Sequence, residues 1–133
     1  MTRRRIVRNF AGLAVLLVAI VTAGVLYVSH VTRDSAIAAA TTWARLAPLP
    51  PTAQNLQVEV KGSMFTREFV ITFDASPAVI QQWFAVSPGP ASASPTVAGA
   101  ITTYAITPGG GAGFAEVTVD NNRGRVVIRT YWS

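Results

Sequence analysis

The chain has 133 residues, no cysteine, one histidine and a formal net charge of +5. Lacking cysteine, it has no disulfide, thiolate nucleophile, cysteine-ligated zinc or acylated lipobox cysteine, so any folded part is held by packing alone. Nor is the charge a nucleic-acid footprint: four arginines lie in the first eight residues, and from Ser29 onward seven basic side chains face six acidic ones, leaving too little positive charge to hold a phosphate backbone.

From Phe10 to Val28 the chain reads FAGLAVLLVAIVTAGVLYV, about 19 residues without a charge. At 1.5 Å per helical residue this covers roughly 28 Å of a ~30 Å hydrocarbon layer, which predicts a single transmembrane helix over 10–28. Arg3, Arg4, Arg5 and Arg8 precede it. Clustered arginines stay on the cytoplasmic side, so residues 1–9 are expected in the cytoplasm and everything after Val28 outside it. A cleavable signal peptide competes for the same N-terminus, but its apolar middle is normally about 7 to 15 residues. Tyr27, His30 and Arg33 also separate this run from Ala36, Ala38 and Ala40. Cleavage near those alanines, giving a secreted domain, is the alternative. A pilin-type start would need a glutamate where Ala14 stands, four residues after Phe10. Within the span, Ala19 and Ala23, with Gly12 and Gly24 nearby, form the kind of small-residue stripe through which membrane helices pair as weak homodimers.

Beyond the span, Asp34 or Ser35 can cap a helix over Ala36–Ala47, which Pro48, Pro50 and Pro51 then end. Residues 29–55 read as a stalk, with Trp43 expected to pack on the domain or on a neighbouring helix rather than sit at the lipid interface. Leu56, Val58 and Val60 alternate with Gln57, Glu59 and Lys61, the period of a half-buried strand. A turn at Gly62 and Ser63 leads into a second strand, Phe65–Asp74, with Phe65, Arg67, Phe69, Ile71 and Phe73 on one side. Ser76 and Pro77 start a helix whose Val79, Ile80, Trp83 and Phe84 face the sheet. SPGPASASPTVAG, from Ser87 to Gly99, reads as a loop. Ala100–Thr107, Phe114–Asp120 and Arg125–Trp132 read as three more strands, joined by PGGGAG and NNRG. The expectation is an α+β domain over 56–133: an antiparallel sheet of about five strands packed by one helix, in the order β-β-α-β-β-β, with Phe69, Phe73, Trp83, Phe84 and Val117 in its core.

Chemistry-bearing residues are few. His30, the one histidine, stands two residues past the apolar run, which leaves the domain without an imidazole base or a histidine metal site. Glu59, Glu68, Asp74, Glu116 and Asp120 remain. Paired carboxylates hydrolyse glycosides when a cleft fixes their separation, but on a small sheet Glu68 and Glu116 are expected to form salt bridges with Arg67, Arg125 or Arg129. PGGGAG lacks a following Lys-Ser/Thr pair and leads into a strand, so it fails both nucleotide-loop patterns and reads as a hairpin loop. Arg123, Arg125 and Arg129 form a charged solvent face. No catalytic, cofactor-binding or metal-binding residue is expected.

The strings GSMFTREFVITFDASPAVIQQWF, from Gly62, and YAITPGGGAGFAEVTVDNNRGRVVIRTYWS, from Tyr104, resemble a recurrent small domain of uncharacterised bacterial membrane-anchored or secreted proteins. That resemblance implies a bacterial, extracytoplasmic setting and no activity. The expected protein is a membrane-anchored, extracytoplasmic, non-enzymatic module, in contact with membrane lipid. An envelope protein or peptide would be reached through a sheet edge or the Pro/Gly-rich loops, with no nucleic-acid partner. The rival class is a small carboxylate-dependent enzyme or an enzyme inhibitor.

Overall fold

The structure, a computed structural model, describes the backbone of residues 2–133 and the side chains of 11–28 and 32–133. Arg3, Arg4, Arg5, Arg8, Phe10 and His30 thus have side chains outside the described set. The chain divides into two compact units, Met1–Asp34 and Ser35–Ser133.

Helix α1 runs Thr2–Trp43. Within it, 11–28 is exposed along its whole length. The Ala11–Trp43 stretch has the length and composition to cross a membrane, with an 18-residue window of mean hydropathy 2.5, none of it buried. A signal sequence satisfies the same criteria.

The second unit is α+β. Its remaining elements are β1 (Gln54–Gly62), β2 (Arg67–Asp74), α2 (Pro77–Ala85), α3 (Pro88–Ala91), β3 (Thr96–Ala98), β4 (Ile101–Ile106), β5 (Phe114–Asp120) and β6 (Arg125–Trp132). All six strands form one antiparallel sheet in the order β1-β2-β6-β5-β4-β3. The expected count of five is corrected to six. The stretch expected as a plain loop also holds a one-turn helix, α3, and the three-residue β3, which pairs Thr96–Ala98 with Ile101–Thr103. An element that short leaves almost no periodicity in a sequence.

Alternation assigns the two faces. Ile71 and Phe73 of β2, Val126, Ile128 and Thr130 of β6, and Ala115, Val117 and Val119 of β5 point to one side and are buried. Ile80 and Trp83 of α2 pack onto them, as predicted from the apolar stripe. Phe69 and Phe84 are partly buried against that core. Helix α2 starts as its sequence dictates: Ser76 Oγ accepts the Val79 amide (3.3 Å), and Pro77 fills a first-turn position that needs no N–H.

The Ala-rich stretch after Asp34 also enters this core. Ala36, Ala40, Ala44 and Leu46 are buried, and Ile37, Leu49 and Ala53 pack beside them. The stretch expected as a stalk, residues 29–55, is therefore partly interior, through one face of its helix and the residues just after it. Spacing by four puts Ala36, Ala40 and Ala44 on one helical face, where small side chains let a backbone approach closely. Trp43 packs as expected, its ring 5.1 Å from that of Phe69.

The β1–β2 turn also differs from expectation. Gly62 pairs with Arg67, so the turn spans Ser63–Thr66, and Phe65 leaves the strand to stand 76% exposed. Gly62 makes this possible with φ = +130°, a conformation in which a Cβ would collide with the Thr66 carbonyl.

Candidate functional site

The sequence-nominated carboxylates lie on the open face of the sheet and are largely spent on ion pairs. Asp74, at the end of β2, accepts from Arg125 Nε (2.8 Å) and Nη2 (3.1 Å) and from Asn55 Nδ2 (2.9 Å). These hydrogen bonds, the one from Arg125 foremost, hold its carboxyl at about 2, below the ordinary 3.8. Reciprocally, Asp74 raises the Arg125 guanidinium. Register explains the pair, since Asp74 and Arg125 lie directly opposite on β2 and β6.

Glu68 accepts from Arg129 Nε, and the Arg129 guanidinium, raised first by that bond, sits 5.6 Å from the centre of the Phe114 ring. Glu59 pairs with Lys61 at 3.2 Å and Asp120 with Arg123 at 3.8 Å. Glu116 faces Arg129 across β5 and β6 without closing to ion-pair distance. Of the expected salt bridges, Glu68 to Arg129 forms and one from Glu116 does not. Among the described residues no group of three His, Asp or Glu side chains is placed to hold a metal.

The PGGGAG segment is spent on structure. The Gly109 amide donates to the Trp43 carbonyl (2.9 Å), satisfying the C-terminal end of α1. Gly110 has φ = +61°, and a Cβ there would lie 2.8 Å from Trp43 Cδ1. Gly110 thus packs against the indole, and the Gly109, Ala112 and Gly113 amides are taken up by backbone carbonyls, as befits a hairpin loop.

A groove that the sequence did not announce lies between α2 and the β4–β5 part of the sheet. Pro77, Ile80, Gln81 and Phe84 form one wall; Thr102, Tyr104, Val119, Asn121 and Gly124 form the other, enclosing about 240 Å³. The Phe84 and Tyr104 rings meet edge-on at 4.8 Å. Asn121 Nδ2 donates to Thr102 Oγ1 and to the Ala100 carbonyl, each at 2.9 Å, fixing the floor. The Gln81 amide and the Tyr104 hydroxyl have no hydrogen-bond partner among the described residues. Apolar walls with a few unspent polar groups suit a side chain or short segment with both characters. No local motif marks such a groove, because it is assembled from three separated stretches.

Comparison with protein families, curated proteins and solved structures finds no match to this chain.

Proposed function

We propose that this is a single-pass membrane protein, N-terminus in the cytoplasm, whose Ser35–Ser133 unit lies outside it and binds an envelope protein or peptide without chemistry of its own. The observation that carries this reading is the wholly exposed apolar run of α1, which is costly in water and stabilising in lipid. Binding is assigned to the groove between α2 and β4, where Phe84 and Tyr104 offer ring surface and Gln81 offers hydrogen bonds. A general acid must keep its proton near neutral pH. Asp74, held low by Arg125, does not meet that requirement, and Glu59, Glu68 and Asp120 are each engaged by a cation, which leaves Glu116 without a free partner for two-carboxylate chemistry and favours binding over a carboxylate-dependent enzyme.

Because the chain has no cysteine, Asn122→Cys creates one reactive thiol on an exposed turn. A membrane-impermeant maleimide should label it in intact cells, and the intact chain should stay with membranes after a salt wash. Labelling only after lysis, or intact chain in the supernatant, overturns the topology. For the groove, a photoreactive residue at Gln81 should yield a crosslinked envelope adduct that the same residue at Gln57, on the open face, does not. Adducts from Gln57 alone would move binding to the open face. A hydrolytic activity lost in Glu68→Gln or Glu116→Gln would replace the binding reading with the enzymatic one.

A further inference from the structure

The two ends of the sheet differ in chemistry. At one end, where β2 finishes and β6 begins, stand Asp74 and Arg125, joined by Asp120, Asn55 and the Asn121–Gly124 turn, with Ile101 opposite Asp120 as an exposed apolar side chain among them. At the other stands the β1–β2 turn with Met64 89% and Phe65 76% exposed. Pairing of Arg67 with Trp132, and of Phe114 with Tyr131, brings three more aromatic side chains to that same end. Trp132 and Phe114 are exposed there, and Tyr131 is half-buried.

The turn itself is closed. The Ser63 amide donates to the Thr66 carbonyl (3.1 Å) and lies equally close to Thr66 Oγ1 (3.1 Å). Ser63 Oγ accepts the Phe65 amide (3.2 Å) and lies 3.2 Å from Thr66 Oγ1. Both hydroxyls are thus spent inside the turn, and what it presents outward is a thioether chain and a phenyl ring. Lys61 and Arg67 flank it, and Arg67 has no ion-pair partner among the described residues.

We propose that this tip inserts into the interfacial layer of the bilayer that α1 spans, a second membrane contact that rests on the membrane reading of α1. Bringing a turn toward lipid costs less when its polar groups are already hydrogen-bonded, and here the Ser63 and Phe65 amides and both hydroxyls are, while the backbone groups left over stay within reach of the water that the interfacial layer retains. Aromatic rings around a depth-setting tip, with lysine and arginine reaching toward headgroups, are the composition of the lipid–water interface. Arg67, the uncompensated charge, has the sign that anionic headgroups attract. A second copy is a poorer occupant, since two projecting side chains fall well short of the ~1,000 Å² a stable interface buries. The anchor supplies a high effective concentration, so a contact too weak to hold a soluble protein suffices here.

The test uses the full chain reconstituted into phosphatidylcholine vesicles containing phosphatidylglycerol. An environment-sensitive fluorophore is attached at Met64→Cys, Phe65→Cys or, at the far end of the sheet, Asn122→Cys. The first two should emit blue-shifted light and be quenched by nitroxide on the lipid acyl chain, while Asn122→Cys keeps an aqueous spectrum and is quenched by iodide. Aqueous spectra at all three positions, with the chain still floating with the vesicles, overturn the insertion and leave the anchor standing. A blue shift at Met64→Cys that acyl nitroxide does not quench, and that fades as protein is diluted in lipid, overturns it in favour of self-association. A chain that fails to float with the vesicles overturns the membrane reading and the insertion together.

Discussion

The indole Nε1 of Trp83 donates to the carbonyl of Ala47 at 3.1 Å, and the amide of that same Ala47 donates to Ser87 Oγ at 3.0 Å. Ser87 Oγ in turn donates to the Trp83 carbonyl at 2.7 Å. Ala47 and two residues about forty positions further on, Trp83 and Ser87, thus close one ring of hydrogen bonds, stitching the segment after α1 to the end of α2. Ser87 is buried, so replacing it strands both the Ala47 amide and the Trp83 carbonyl. Ser87→Ala should cost about 1–3 kcal/mol, read as a lowered urea midpoint of the full chain in mild detergent, followed by tryptophan fluorescence.

Thr130 presents the opposite case. Its hydroxyl is buried in the sheet–helix interior and has no hydrogen-bond partner. Thr130→Val exchanges that orphaned hydroxyl for a methyl of similar size, so stability should rise by about 1 kcal/mol. An unchanged or lower midpoint in the same titration would show that the hydroxyl has a partner in solution.

Acid should weaken the fold through Asp74. Its carboxyl is depressed from 3.8 to about 2 in the folded chain. The stabilisation is therefore present above about 4 and is lost as pH falls through about 2, because the unfolded chain takes up its proton first. Arg125→Gln removes the largest cause of that depression, so its stability should fall less steeply between pH 4 and 2 than that of the parent. Parallel acid titrations of the two proteins, by near-ultraviolet circular dichroism, check this.

Neighbouring glycines in the β4–β5 loop should behave differently. Gly110 has φ = +61° and lies against Trp43, whereas Gly111, at φ = +82°, faces open space. Gly111→Ala carries backbone strain alone, about 1–2 kcal/mol. Gly110→Ala adds a clash with the indole and should cost more, together with a shift in tryptophan emission that Gly111→Ala lacks.

Much of the α+β unit was legible because its elements are long and clearly patterned. The alternation around Val58, the Ser76-Pro77 start of α2 and the Ile80/Trp83 stripe each have one physical reading, and the structure agrees with it. What escaped is what local pattern does not encode. Thr96–Ala98 becomes a strand only because β4 folds back to pair with it. Ala36, Ala40 and Ala44 look like generic helix formers, and their burial depends on a sheet that appears later in the chain. Phe65 continues the β2 alternation in sequence, but the Ser63–Thr66 hydrogen bonds take it out of register. The Phe84–Tyr104 groove joins residues twenty positions apart, and no short window spans them.

The buried alanines after Asp34 also bear on processing. A leader peptidase cutting inside the Ala36–Ala40 stretch would sever residues that are 2% and 0% exposed and strip buried side chains from the core of the Ser35–Ser133 unit. Maturation at that place would release a fragment with a greasy scar, prone to clumping and to degradation. A cut ahead of Ser35 would leave the Ser35–Ser133 unit whole.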